Sequence, residues 1–316
     1  MIINAQALRA LDVSFSTLYN KGFASKEPKY PLVATEVPSS TSEEHYGWIG
    51  QMPDMEEWLD ERTIKNLSAY TYTIKNKTFE STVAIDREEL EDDRYGVYRP
   101  NFETMGAKAA TAPDRTVFEL LQRGFEAKCY DGQPFFSAEH KVAGKTYSNM
   151  STAKLSQESF IAARTAIMSF VGDKGKSLGI VPNMLLVPPA LEMTAKKILE
   201  ADIVNAETNI TKGLAKVEVV SELAGDPNAW YLLATNEPLK PLILQMRKRP
   251  KFDSLTKDTD PNVFLKRQYL YGVDGRWNAG FGFWQMAYGS TGAGTEDSGS
   301  EGTGTDDTGS EEQAKG

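Results

Sequence analysis

Four prolines between residues 28 and 53 (Pro28, Pro31, Pro38 and Pro53), with Ser39 to Ser42 among them, constrain this chain more than any other feature. Each proline fixes its own φ and pushes the residue before it out of helical space. No regular element fits there, so the stretch reads as an extended arm that needs other surfaces to hold it. Upstream, residues 4–20 space Ala7, Leu8, Leu11, Phe15 and Leu18 at helical period, with one stripe to bury.

Downstream, Tyr70, Tyr72 and Ile74, then Phe79, Val83 and Ile85, flank Asn76-Lys77 with β-branched and aromatic residues. That pattern predicts a strand–turn–strand hairpin around Asn76, its far end standing away from the core. Phe102, Met105, Ala109, Val117, Leu120 and Leu121 predict a long helix from Asn101, broken or bent near Thr111 by Pro113 and ended at Gly124. Residues 125–150 read as loop, with turn signals at Asp131-Gly132 and Gln133-Pro134.

From residue 156 the elements alternate. Ser156 is placed to cap a helix carrying Phe160, Ala163, Ile167 and Val171. Met184 to Val187 reads as a buried strand, and Pro189 as the first turn of a helix with Leu191, Ala195, Ile198 and Leu199. Strands are predicted at 216–220, 230–234, 241–246, 262–273 and 277–288. Beyond Ser290 the Gly-, Ser-, Thr- and acid-rich tail has almost nothing to bury and is expected to stay disordered. The fold class is α+β, and 316 residues suffice for a substantial core.

Charge and cysteine usage exclude several functions. The net charge is −9, but the tail holds seven acids and only Lys315, a balance of −6, so residues 1–289 carry just −3. A dedicated nucleic-acid binder needs a basic face to displace phosphate counterions. The single cysteine, Cys129, excludes an intrachain disulfide framework. No signal-peptide pattern opens the chain, and no apolar run approaches the ~20 residues of a membrane span. A soluble protein made in the cytoplasm is expected.

The chemical motifs are weak. Gly172-Asp173-Lys174-Gly175-Lys176-Ser177 ends like a phosphate-binding loop, but Phe170 stands where that loop needs its first glycine. It is read as a helix-ending turn. His45 and His140 have no metal-ligand partner at helical or hairpin spacing, and Cys129 has no second cysteine, so no zinc site is expected. The acids Asp86, Glu88, Glu89, Glu91, Asp92 and Asp93 lack the spacing of a calcium loop and read as a solvated face. Arg247-Lys248-Arg249-Pro250-Lys251 reads as a charged strand end pairing with acids of a neighbouring surface rather than as a nucleic-acid contact. A thiol enzyme or hydrolase using Cys129 with His140 stays open as the reading from a different class. No catalytic, cofactor-binding or metal residue is assigned. An arm and a hairpin with too little core around them favour assembly with other copies.

Several stretches in order resemble the Mu-like phage major head subunit family, the product of the phage T gene. They are Ile3-Asn4 with its helix; Phe79 to Arg87, leading through Glu91-Asp92-Asp93 to Gly96 and Tyr98; and Asp131-Gly132 with Phe136-Ser137 and His140. Leu178-Gly179-Ile180, Leu185 to Pro189, Pro241 to Arg247 with Pro250 and Phe252, Tyr271-Gly272-Val273 and Trp277 to Trp284 continue the series. The resemblance spans almost all of residues 1–289 and leaves out the tail.

It implies an HK97-like phage capsid fold: an N-terminal arm (1–45), an extended hairpin loop (46–88), a peripheral domain with a spine helix (89–150), an axial domain (151–249), return strands of the peripheral domain (250–289) and the acidic tail (290–316). It also implies a non-enzymatic subunit that self-assembles into hexamers and pentamers of an icosahedral head. That head encloses DNA without strong specific binding, and a separate scaffold protein, a portal and decoration proteins are the further partners. Such a virion component is made and assembled in the host bacterial cytoplasm. An encapsulin-like nanocompartment shell is the alternative within the same architecture. The tail is left as a solubilising appendage, an external display segment or a scaffold contact, and is expected to project outward.

Overall fold

The computed structural model describes residues 5–47, 72–92, 95–172, 175–204, 206–257 and 259–294. In chain order it runs α1 (Ala5–Ala24), α2 (Tyr30–Val33), β1 (Ala34–Pro38), β2 (Glu43–His45), β3 (Thr73–Lys75), β4 (Lys77–Asp86), α3 (Arg87–Glu91) and α4 (Tyr95–Gln122). Three short strands, β5 (His140–Val142), β6 (Lys145–Tyr147) and β7 (Met150–Ser151), lead to α5 (Gln157–Met168), β8 (Met184–Val187) and α6 (Glu192–Leu199). Then come β9 (Ile203–Val204), β10 (Glu207–Thr208), β11 (Lys216–Val219), β12 (Trp230–Leu233), β13 (Leu242–Leu255), α7 (Pro261–Lys266), β14 (Gln268–Phe281) and β15 (Ala287–Ser290). The mixture is α+β, as expected.

Two sheets organise the chain. A four-stranded sheet has the order β1-β13-β14-β4, and a five-stranded sheet the order β11-β8-β12-β15-β7. Along β14 burial alternates with period two: Tyr269, Tyr271, Val273 and Trp277 face inward, while Gln268, Leu270, Gly272 and Asp274 are only partly covered. The inward row meets α1 and α4, where Phe15 stacks on Phe102 at 4.1 Å and sets its edge against Tyr271 at 5.0 Å. The five-stranded sheet is apolar where β8 and β12 adjoin, every residue of both strands being buried. A single apolar cluster runs from Tyr30 and Val117 through β8 and β12 to the start of β13 and the end of β14. One end of the four-stranded sheet therefore shares a core with the five-stranded one, while Phe15, Phe102, Tyr269 and Tyr271 form a separate cluster at its other end.

Several expectations hold in detail. Ser156 caps α5: its hydroxyl accepts from the Ser159 amide, and Ser159 returns a bond to the cap. Pro189 opens the turn that leads into α6. The long helix ends in a 3-10 turn at Arg123–Phe125 that contains Gly124.

Others are corrected. Asn76 is not a hairpin tip: β3 pairs with β2, β4 pairs with β14, and Asn76 between them is buried, donating to Ser39 Oγ and the Thr41 carbonyl. Tyr70, the start of that predicted hairpin, lies outside the described residues, as do Ile3-Asn4 and the tail beyond residue 294. The described part of the arm is held by its own subunit. α1 packs on α4, Tyr30 and Val33 enter the core, and β1 adds in parallel to β13. Helix α4 passes through Pro100 and Pro113 without a break. Its buried residues Ala109, Ala110, Val117 and Phe118 on both sides of Pro113 outweigh the ~3 kcal/mol that an interior proline costs. The boundary at 249/250 falls inside β13, which is one strand of the four-stranded sheet. The closing stretch 277–288 divides between β14 and β15, and β15 joins the five-stranded sheet instead of completing the other.

Candidate functional site

The fold draws Cys129, Asp131 and His140 together beneath the loop that follows α4. The Asp131-Gly132 turn, with Gly132 at φ 83°, swings the carboxylate inward, and β5 delivers His140 beneath it. His140 is wholly buried and lies flat on the Trp284 indole, ring centres 4.0 Å apart and planes 5° from parallel. Its Nδ1 stands 2.6 Å from Asp131 Oδ2, and its Nε2 faces the Phe135 carbonyl at 3.3 Å. Cys129 Sγ donates to Asp131 Oδ1 at 3.1 Å, and the Gln133 amide donates to the same oxygen at 3.0 Å.

The electrostatics follow from burial and from these bonds. Burial raises the Asp131 carboxyl, but His140, Cys129 and the Gln133 amide outweigh it, and the group is held below its ordinary value. Burial, reinforced by the Asp131 charge, pushes the Cys129 thiol far up. A nucleophilic cysteine needs its thiolate. Here the thiol keeps its proton and spends it on Asp131, so the cysteine–histidine pair of the alternative reading is brought near but is not activated. His140 does gain partners that its sequence spacing did not announce. The three ligand atoms lie within 4.8 Å of one another, with the carboxylate already bridging thiol and ring. Its geometry is that of a lock: it fixes the loop between α4 and β7 onto Trp284, just ahead of β15.

The remaining candidates scatter. His45 is exposed and bonds Thr73 Oγ1 at 2.7 Å across β2 and β3. In the glycine-rich turn after α5, Gly172 donates its amide to the Lys176 carbonyl and Gly175 donates to Gly172. Those amides are used within the turn, which does not itself end the helix: α5 stops earlier, at its C-cap Ser169, and the Val171–Ser177 bridge closes the turn. Residues 173 and 174 lie outside the described residues. In the acidic stretch, Arg87 pairs with Glu91 and Arg267 with Glu88; Asp93 lies outside the described residues. The basic run is not a strand end but the middle of β13, and it pairs with acids on the two strands beside it: Lys248 with Asp274 on β14, and Arg249 with Glu36 on β1.

What the motif search missed are surfaces. Helix α7 caps the β13–β14 hairpin and presents Phe264 and Leu265 at 80% and 74% exposure, beside half-exposed Leu255. Sequence spacing placed a strand from 262 to 273, yet Asp260-Pro261 is a helix-start signal and Arg267 ends the helix in the left-handed region at φ 53°. Near the five-stranded sheet, Met193, Ile203 and Ile210 are equally bare. Neighbouring large apolar side chains standing in water, as on α7, mark a contact surface.

A shell-forming lineage accounts for such surfaces. Residues 8–154, 147–223 and 216–301 match the family model of the Mu-like prophage major head subunit gpT. The chain belongs to that family. It is 32% identical to the major capsid protein of Escherichia phage Mu over 298 residues, which is 94% of this chain and 78% of that one. Among solved structures it is similar to the procapsid of bacteriophage JBD30, with a TM-score of 0.59, 34% identity, and coverage of 91% of this chain and 76% of that one. It is also similar to the JBD30 capsid decorated with minor capsid protein trimers, with a TM-score of 0.53, 28% identity, and coverage of 62% of this chain and 91% of that one. This Mu-like head subunit is thus a major capsid protein with the HK97-like capsid fold, a structural protein and not an enzyme. Among the described residues, no helix is long and apolar enough to cross a membrane.

Proposed function

We propose that copies of this subunit form hexamers and pentamers that close into an icosahedral head around DNA. The observation that carries the reading is the pairing of family membership with bare apolar side chains in two separate regions: Phe264 and Leu265 on α7, and Met193, Ile203 and Ile210 near the five-stranded sheet. A subunit with two separated contact regions extends a lattice in two directions, and weak contacts multiply over many copies. The part built on the five-stranded sheet acts as the axial domain, around the capsomer axis. The four-stranded sheet with α1 and α4 acts as the peripheral domain.

The partners follow from the same reading. A separate scaffold protein guides closure, a portal occupies one vertex, and minor capsid proteins decorate the shell; the similar JBD30 capsid is decorated with minor capsid protein trimers. DNA is enclosed mechanically: residues 1–289 carry only −3, which favours packaging and release over tight binding. Synthesis and assembly take place in the host bacterial cytoplasm, and the acidic tail projects from the shell exterior.

Electron microscopy and light scattering on the purified protein, alone and with a candidate scaffold from the same genome, test this. Rings, capsomers, tubes or closed shells are expected. A clean monomer under both conditions would overturn it. For the tail, protease sensitivity in sealed particles is expected, and protection would count against its external placement.

A further inference from the structure

Residues Lys29–Pro38 touch both sheets, and they are fastened very differently at their two ends. At the four-stranded end, β1 runs in register with β13 from Ala34 opposite Leu242 to Pro38 opposite Met246. Glu36 adds side-chain bonds there, accepting from Tyr30 Oη at 2.7 Å and pairing with Arg249. At the other end, Lys29 reaches the five-stranded sheet. Its Nζ donates to Glu218 Oε1 and to the Val219 carbonyl, both at 2.7 Å, on the edge strand β11. Between these ends Asp114, buried on α4, takes the backbone N–H groups of Lys29 and Tyr30 at 3.0 and 2.6 Å.

One end of the four-stranded sheet shares an apolar core with the five-stranded sheet, which holds the two together without directional bonds. Polar bonds are directional, and a charge-assisted pair such as Lys29–Glu218 is the strongest kind available. The Lys29 side chain is 43% exposed, so water can replace its partners once it moves; a β-ladder cannot be exchanged so easily. The strap is therefore tight on one sheet and releasable on the other.

We propose that Lys29–Pro38 is a strap that sets the angle between the two sheets, with its Lys29 end as the release point when the subunit changes shape between precursor and mature shells. The link to shell conversion rests on the shell reading above; the strap itself does not. Phage shells related to this one exist both as a procapsid and as a capsid, so the subunit must fit two lattices.

The test measures the angle directly on the unassembled, full-length protein, so its outcome does not depend on whether particles form. Spin labels are placed through Asp226→Cys, beside β12, and Asp253→Cys, on β13; buried Cys129 keeps its proton and stays unlabelled. Lys29→Met, which keeps the stem and removes the charge, is expected to add a second distance population between the labels. Glu218→Gln, which leaves the Val219 carbonyl bond in place, is expected to shift the distribution the same way by less. Glu36→Gln, at the ladder end, is expected to leave it as in the parent. An unchanged distribution in folded Lys29→Met would overturn the proposal, as would a second population of equal size in Glu36→Gln. If Lys29→Met does not fold, the comparison of Glu218→Gln with Glu36→Gln decides by the same criterion.

Discussion

Gly106 on α4 lies so close to Tyr19 on α1 that a β-carbon on it would sit 2.0 Å from the Tyr19 carbonyl oxygen. Gly22 is placed the same way: its β-carbon would sit 1.9 Å from the Glu103 carbonyl oxygen. The two helices therefore touch backbone to backbone, and Tyr19, Phe15 and Phe102 fill the space on the sheet side of the crossing. Gly106→Ala must push α1 off α4. Overpacking of this kind costs about 1–3 kcal/mol, and the contact here is with backbone that cannot rotate away, so about 3 kcal/mol is expected. Denaturant unfolding of the unassembled subunit checks it; a loss under about 0.5 kcal/mol, the range of ordinary surface changes, would mean that the crossing is looser than described.

That crossing was only half legible in the sequence. The apolar stripe of α1 was visible from Leu8, Leu11, Phe15 and Leu18, and all four are buried. Nothing local said that the stripe belongs to α4, because Gly22 and Gly106 look like ordinary helix-weakening glycines until a partner stands opposite. The capped helix at Ser156 and the buried strand at Met184–Val187 were readable because caps and short apolar runs are local signals. The Asn76 hairpin was misread because alternation marks strands without naming their partners. β3 and β4 adjoin in sequence but pair with β2 and β14. Of the Cys129–Asp131–His140 lock the sequence suggested only the Cys129–His140 pair, as a nucleophile with its base. Asp131 as the bridge between them was missed, because the three come together through a turn and a following strand, with no spacing rule to search for.

Removing the carboxylate at the centre of that lock has a calculable sign. Asp131 sits below its ordinary value because the bonds from His140, Cys129 and Gln133 outweigh burial. A carboxyl depressed in the folded state adds stability that is present above its unfolded pKa of about 4 and is lost as the pH falls through the lower folded value. Asp131→Asn removes the carboxylate that bonds the His140 ring, the Cys129 thiol and the Gln133 amide in a buried site, a change expected to cost about 1–3 kcal/mol at neutral pH. Thermal melts across the acid range are expected to show the parent losing stability below pH ~4 more steeply than Asp131→Asn. Parallel acid profiles would show that the pair contributes no pH-dependent stability.

Cys129 makes a sharper separation between shell and enzyme. Its thiol gives one hydrogen bond to Asp131 and packs in the core, so Cys129→Ala loses that bond at a cost of about 1 kcal/mol and leaves assembly intact. Thiol reagents are expected to react slowly with the native protein and quickly with the unfolded one, since burial holds the sulfur protonated. Fast modification of the folded chain, or particles lost in Cys129→Ala without a matching loss of stability, would contradict this account.

The bare face of α7 gives the opposite dissociation, assembly lost while the fold stays. Phe264 and Leu265 stand outside the apolar clusters, whereas Val263 beside them is buried and anchors the helix to the β13–β14 hairpin. Replacing both exposed residues, as Phe264→Ser with Leu265→Ser, therefore removes no core contact and changes subunit stability by at most about 0.5 kcal/mol. Between copies the same side chains would bury apolar surface worth roughly 1.5–3 kcal/mol each. In a lattice this loss recurs at every subunit, so even the lower figure shifts the concentration needed for assembly by more than about tenfold per contact. Light scattering across a concentration series, with thermal melts of the unassembled protein alongside, reads both quantities. Val263→Ser should do the reverse, destabilising the subunit by about 2 kcal/mol through a polar group placed in the core. If the double variant assembles at the parent's concentration, α7 is not a contact between copies, and the Met193, Ile203 and Ile210 surface must carry assembly without it.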